Sequence, residues 1–136
     1  MSSTLKLRVS TKASEALRRL KSKTGLTPNI LCRFAICRSL ADPQLVIREG
    51  RERSGLEFNR YTLTGDLDAA LRAVLSVKHG RGLTDEEFLD GPLRDELERG
   101  IGLLWHDVRT TGSFEGALLH LLEEATRRST MSEPGA

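Results

Sequence analysis

The chain opens on an alternation in which Leu5, Leu7 and Val9 are apolar and the intervening Lys6 and Arg8 are basic. In an extended strand the three apolar side chains share one face and the two cations share the other. A strand this short must pair. Its partner is a second strand of the same chain, around Leu45-Val46-Ile47 or Glu57 to Tyr61, or its own copy in another subunit. Ser10 and Thr11 then offer capping hydroxyls. Ala13, Ala16, Leu17 and Leu20 recur at helical spacing, which predicts a helix over 12–23 ended by Gly25. Thr27-Pro28 starts a second helix: the hydroxyl caps, and proline at the first helical position forfeits an N–H that had no partner. That helix should run to about Leu40 and bury Ile30, Leu31, Phe34, Ala35, Cys37 and Leu40, with Pro43 closing it.

Residues 48–60 are polar and without a clean period, and read as a loop or arm that orders in an assembly. A third helix is expected over 66–79, capped by Thr64, with Leu67, Ala70, Leu71 and Val74 inward and Gly80 as terminator. Thr84 to Glu87 fits a capping box on a short turn that leads to Pro92. From Pro92 to about Val108 an inward stripe of Leu93, Leu97, Ile101 and Leu104 forms a fourth helix. Gly100 and Gly102 interrupt it at about 1 kcal/mol each, which points to a close helix crossing. Ser113 caps a last helix through about Arg128, with Leu118, Leu121, Leu122 and Ala125 inward. The pattern describes a mainly α, single-domain helical bundle over 1–128 with a short N-terminal strand. It divides into a basic N-terminal module over about 5–42 and a helical remainder over about 62–128, with 129–136 as a disordered tail.

Charge changes this picture more than composition does. The net charge of the 136 residues is only +2, yet residues 1–60 hold 13 Lys and Arg against 5 Asp and Glu, and residues 61–136 hold 8 against 14. The asymmetry points to an N-terminal surface that meets a polyanion while the rest serves folding, assembly or protein contacts; an evenly solvated charged surface is the alternative. On the first helix Lys12, Arg19 and Lys23 lie within about 40° of one another on one flank of the apolar stripe. Lys21 falls on the opposite flank and Arg18 nearer the solvent pole; Arg33 and Arg38 follow on the second helix, and Lys6 and Arg8 on the strand. Such long cations track phosphates and release counterions without reading bases.

Convergent reactive groups are missing. His79, His106 and His120 have no metal-ligand spacing to another His or Cys, and no glycine-rich loop precedes a lysine. Asp85, Glu86 and Glu87 sit in a helix first turn, where the dipole accounts for them. Cys32 and Cys37, five positions apart, point about 140° away from each other and read as thiols of a reducing compartment rather than a disulfide or metal pair. No apolar run reaches the about 20 residues that span a bilayer, and no signal-peptide core is present, so a cytoplasmic protein without catalysis, cofactor or metal is expected.

The order strand, helix, turn, helix resembles the ribbon-helix-helix fold, in which paired strands enter the DNA major groove and Lys6 and Arg8 would face the bases. A more specific resemblance lies in Lys12 to Cys37, above all Lys21-Ser22-Lys23-Thr24-Gly25-Leu26-Thr27-Pro28-Asn29-Ile30-Leu31-Cys32-Arg33. Gly55 to Gly65 and Leu97 to Gly102 extend it over most of residues 5–105. These stretches resemble the DndE family of DNA phosphorothioation. That resemblance implies a helical protein with a ribbon-helix-helix-like start, assembled as a homo-oligomer, a tetramer. Its machinery replaces a non-bridging phosphate oxygen of DNA by sulfur with a cysteine desulfurase, an iron–sulfur partner and an ATPase partner. The subunit itself, the resemblance implies, would be a non-catalytic DNA-binding and scaffolding component with a preference for nicked duplex. The DNA-binding candidates are Lys6, Arg8, Lys12, Arg18, Arg19, Lys21, Lys23 and Arg33. Two alternatives stand beside it: a ribbon-helix-helix transcriptional repressor or antitoxin, and a scaffold that binds only proteins. The residues after about Arg109 match neither pattern.

Overall fold

The structure, a computed structural model, describes residues 6–46 and 52–132, with the side chains of 131 and 132 outside the described set. Leu5, Ile47, residues 48–51 of the expected arm and 133–136 of the expected tail lie outside the described residues. Strand β1 (Lys6–Arg8) leads into helices α1 (Thr11–Thr24) and α2 (Pro28–Leu40). Strand β2 (Glu57–Asn59), helix α3 (Arg60–Thr64), a single 3-10 turn at Gly65–Leu67 and helix α4 (Asp68–His79) follow. The short α5 (Asp85–Phe88), a π-helical turn at Leu89–Leu93, α6 (Arg94–Thr111) and α7 (Phe114–Ser132) complete the chain.

β1 and β2 pair antiparallel, with Leu7 opposite Phe58 and Arg8 opposite Glu57. Leu7 and Phe58 point into the core while Lys6, Arg8, Glu57 and Asn59 face outward, as a period of two requires. Of the two possible partners for the strand, the structure uses the one inside the chain. The strand–helix–helix order is therefore present, but no second subunit is needed to complete its ribbon.

α1 starts as its sequence predicts, with the Ser10 hydroxyl accepting the Ala13 N–H at 3.1 Å. It stops at Gly25, whose φ of 74° suits a residue without Cβ. Ala13, Leu17 and Leu20 are buried. α2 behaves differently from expectation. It buries Leu31, Cys32, Ala35, Ile36 and Ser39, whereas Ile30 and Phe34 remain 37% exposed and Cys37 is exposed. Apolar residues nearly encircle this helix, so periodicity cannot choose its inward face, and the tertiary contact with α6 chooses it. At Gly100 a Cβ would overlap the carbonyl of Ala35, so the two backbones meet where the glycine leaves room. Thr27 precedes Pro28 as expected, but its hydroxyl makes no capping hydrogen bond.

The stretch 52–60 is folded onto the body rather than free. Val9 donates to Leu56 O at 3.0 Å, Gly55 donates to Val9 O at 2.8 Å, and Leu56 N–H reaches Ser14 Oγ at 2.7 Å. Polar composition disguised a segment whose backbone extends the ribbon beyond β2. Arg60 next to it is buried against Asp68 and Asp85, at 2.9 and 3.0 Å, with its guanidinium over the rings of Tyr61 and Phe88.

α4 starts after the 3-10 turn and buries Leu71 and Leu75, while Leu67 and Val74 face solvent. The Thr64 hydroxyl bonds back to Arg60 O and to Asp68 instead of capping. The Thr84–Glu87 capping box is complete. The helix it starts then continues through a π turn into α6, because Pro92 has no N–H to donate and its ring needs the wider turn. Leu93, Leu97, Ile101 and Leu104 form the buried stripe that the sequence predicts. Ser113 caps α7 through its hydroxyl, which accepts Gly116 N–H at 2.9 Å. Among the described side chains of α7 only Ala117 is fully buried, Leu122 is 64% exposed, and the helix continues past Arg128 to Ser132.

Candidate nucleic-acid interface

α6 fixes the position of α1. Glu98, buried on α6, accepts Ser10 N–H at 2.6 Å and Ser10 Oγ at 2.9 Å, and the neighbouring Arg94 guanidinium donates to Arg8 O and Glu52 O, both at 3.0 Å. Glu52 accepts the backbone N–H of Thr11 and, at 2.6 Å, that of Ser54; these backbone bonds, Thr11 first, hold its carboxyl below the usual range. At the start of α1 the Ser10 and Thr11 N–H groups thus meet the protein's own carboxylates and the Ala13 N–H meets the Ser10 hydroxyl.

Along α1 lie Lys12, Arg18, Arg19, Lys21 and Lys23, all exposed. None forms an ion pair with a described side chain, and Glu15 is the single carboxylate on α1. Arg19 stands with its guanidinium 6.0 Å from the centroid of the Trp105 ring, and Arg109 approaches the same ring at 5.8 Å. α1 and α6 bound a groove of about 910 Å³ with Lys12, Arg19, Trp105 and Arg109 along it and Glu15 and Glu98 among its walls. Trp105 and Arg109 escape a sequence reading that sums cations within the N-terminal part, since only the α1–α6 packing brings them to α1.

The other three candidates are committed elsewhere. Lys6 and Arg8 lie on the outer face of the ribbon, paired with Glu57 at 3.6 and 3.0 Å, and Arg8 also donates to Gly55 O. Arg33 donates to Leu63 O at 2.9 Å and Thr62 O at 2.8 Å, so it fastens α3 to α2 rather than facing solvent with the α1 cations. Arg38 is bound to Asp107 at 2.6 Å. Each of these guanidiniums has found an oxygen that a helical projection cannot show.

The family profile described as DNA sulphur modification protein DndE matches residues 6–111. The chain belongs to the DndE family. Membership ties it to DNA sulphur modification, and the solved structures agree. A crystal structure of DndE from Escherichia coli B7A, described as involved in DNA phosphorothioation modification, is 26% identical with a TM-score of 0.63. The match covers 74% of this chain and 97% of that one. A crystal structure of a DndE mutant involved in DNA phosphorothioation is 24% identical with a TM-score of 0.60, covering 73% of this chain and 95% of that one, and likewise shares the fold. Comparison with curated proteins gives no match. The DndE body therefore spans β1 to α6, and α7 is an addition outside the matched residues.

His79, His106 and His120 are all exposed. Among the described residues no group of three His, Cys, Asp or Glu side chains could hold a metal, and no helix is long and apolar enough to cross a membrane. Cys32 is buried and its thiol is pushed up by desolvation; Cys37 is exposed, and burial of part of its surroundings raises it too.

Proposed function

We propose that this DndE-family chain is a non-catalytic, cytoplasmic DNA-binding and scaffolding subunit of the phosphorothioation machinery. It holds duplex DNA by its phosphates along α1 and works beside the cysteine desulfurase, iron–sulfur and ATPase members of that system. The observation that carries the reading is the α1 surface: five exposed cations against one carboxylate, none of the five ion-paired with a described side chain. Exposed lysine and arginine neutralise phosphates and release counterions irrespective of base sequence. Homo-oligomerisation, as a tetramer, would repeat the surface, and a nick in the duplex would let the backbone bend to follow it. The repressor alternative is less well supported, because β1 is paired within the chain and its cations lean on Glu57.

Gel shifts on random duplex, nicked duplex and the DNA upstream of the protein's own coding sequence separate the readings. Binding of every duplex with a steep salt dependence is expected. Arg19→Ala/Lys23→Ala should weaken all duplexes about equally and flatten the slope of log affinity against log salt by about 1 per lost contact. Tight binding confined to the upstream DNA, or an unchanged slope in the double variant, would overturn the proposal.

A further inference from the structure

Trp105 is the sole tryptophan of the chain, and it has two arginines at its ring and room beside it. Part of the indole packs against the core; the rest looks into the α1–α6 groove. One turn earlier on α6, Gly102 is exposed, and a Cβ built there meets nothing within 4 Å. Unlike Gly100, this glycine makes no close crossing, so its effect is to leave open space next to the ring. Arg19 and Arg109 form no ion pair with a described residue, which leaves both guanidiniums free to turn.

We infer that Trp105, Arg19 and Arg109 form a seat for one unpaired nucleotide of DNA, its base on the indole face and its phosphate on the guanidiniums. The inference rests on the reading that α1 faces DNA. Relative strengths favour it. An exposed cation–π contact improves an equilibrium by about 2- to 5-fold, whereas a base stacked on an aromatic side chain contributes about 5- to 150-fold. A base therefore displaces an arginine from the ring, and the released guanidinium meets the phosphate of the same nucleotide. Paired bases inside a duplex cannot present a face to the indole, so the occupant must be single-stranded or unpaired.

The single tryptophan makes the test direct. Intrinsic fluorescence of the full chain is titrated with a short oligothymidylate and with an abasic sugar-phosphate oligomer of equal length at the same salt. Saturable quenching is expected with the first, together with at least about 5-fold tighter binding than the second. Trp105→Phe should keep most of that preference, read by anisotropy of labelled oligomer. Gly102→Leu leaves the indole in place, suits the helix better than glycine, and fills the space beside the ring; it should abolish the preference while duplex is still bound. Equal affinity for the two oligomers, or a preference that survives Gly102→Leu, overturns the seat and leaves duplex binding by α1 standing. Failure to bind duplex at low salt overturns the α1 reading itself, and the seat with it.

Discussion

Gly100 and Gly102 lie two positions apart on α6, and alanine at the two sites should have opposite effects. At Gly100 the new Cβ would overlap the carbonyl oxygen and carbon of Ala35, which are backbone atoms of α2 and cannot rotate away. The two helices must separate, and they bury Leu31, Cys32 and Ile36 on one side and Leu97, Ile101 and Leu104 on the other. Overpacking of this kind costs about 1–3 kcal/mol, and the upper end applies when the obstacle is main chain. Replacing glycine in a helix returns about 1 kcal/mol, so the net loss for Gly100→Ala is about 1–2 kcal/mol. At Gly102 nothing lies within 4 Å of the added atom. There only the propensity gain operates, and Gly102→Ala should be more stable by about 0.5–1 kcal/mol. For a chain of 136 residues each kcal/mol moves the midpoint by about 3–5 °C. Thermal melts followed by circular dichroism at one protomer concentration should then rank Gly102→Ala above wild type and Gly100→Ala below it. If Gly100→Ala melts at or above wild type, the α2–α6 contact is not a backbone-to-backbone crossing and the account of why α2 turns Ala35 inward fails.

Arg33→Ala should lower stability by about 1–3 kcal/mol, because two carbonyls of α3 lose their donor, yet leave the salt dependence of duplex binding unchanged; a flatter salt slope would return Arg33 to the interface. Burial works against ionisation of Asp68, but hydrogen bonds from Arg60 and Thr64 outweigh it and hold the carboxyl below its ordinary value. The stability it confers is therefore present above the ordinary carboxylate pKa of about 3.9 and is lost as pH falls through the depressed value. Asp68→Asn should be less stable at neutral pH and should lose less on acidification, and parallel acid limbs for variant and wild type would contradict this. Leu67 at the N-cap of α4, with Val74 and the 82% exposed Val77 on the helix, is exposed to solvent. Light scattering at micromolar concentration should give a multiple of 15.1 kDa for wild type and the 15.1 kDa protomer for Val74→Glu/Val77→Glu; a monomeric wild type would rule out self-association.

The elements that chain-local chemistry controls were legible in the sequence. Ser10, Gly25, Thr84 with Glu87, and Ser113 each act on a neighbour a few positions away, and each does in the structure what its residue type suggests. The inward stripe of α6 was equally clear, because polar residues separate its leucines. Legibility failed where the deciding partner is remote. α2 is apolar almost all round, so its orientation was set by Gly100, which lies 65 positions beyond Ala35. The segment 52–60 looked like an arm because its side chains are polar, yet its backbone hydrogen bonds go to Val9 and Ser14. α4 and α7 were given more inward residues than a chain of this size can cover: Val74 and Leu122 point out.

The same distinction governs the site. An arginine that reads as a free cation in sequence is free in the structure only if no oxygen lies within reach, and that depends on packing. Arg33, Arg38, Arg60 and Arg94 are all spent on carbonyls or carboxylates inside the fold. Glu52, Glu98 and Asp107 are spent in the same way, on backbone N–H groups, a hydroxyl or a guanidinium. Internal use of this kind removes charges of both signs from the surface and leaves the sign of the remainder to whichever helix has no facing partners. α1 is that helix: its inward face is mainly apolar, Glu98 and Glu52 accept the N–H groups of Ser10 and Thr11, and its outward face holds Arg18, Arg19, Lys21 and Lys23, with Glu15 its single carboxylate and no ion pair to a described side chain. The excess of cations in the first 60 residues thus divides in the structure between positions bound inside the fold and positions left exposed on α1. The proposed phosphate contacts draw on the cations that folding left unused, and α6 carries Arg109 from the other half of the chain to Trp105 beside them.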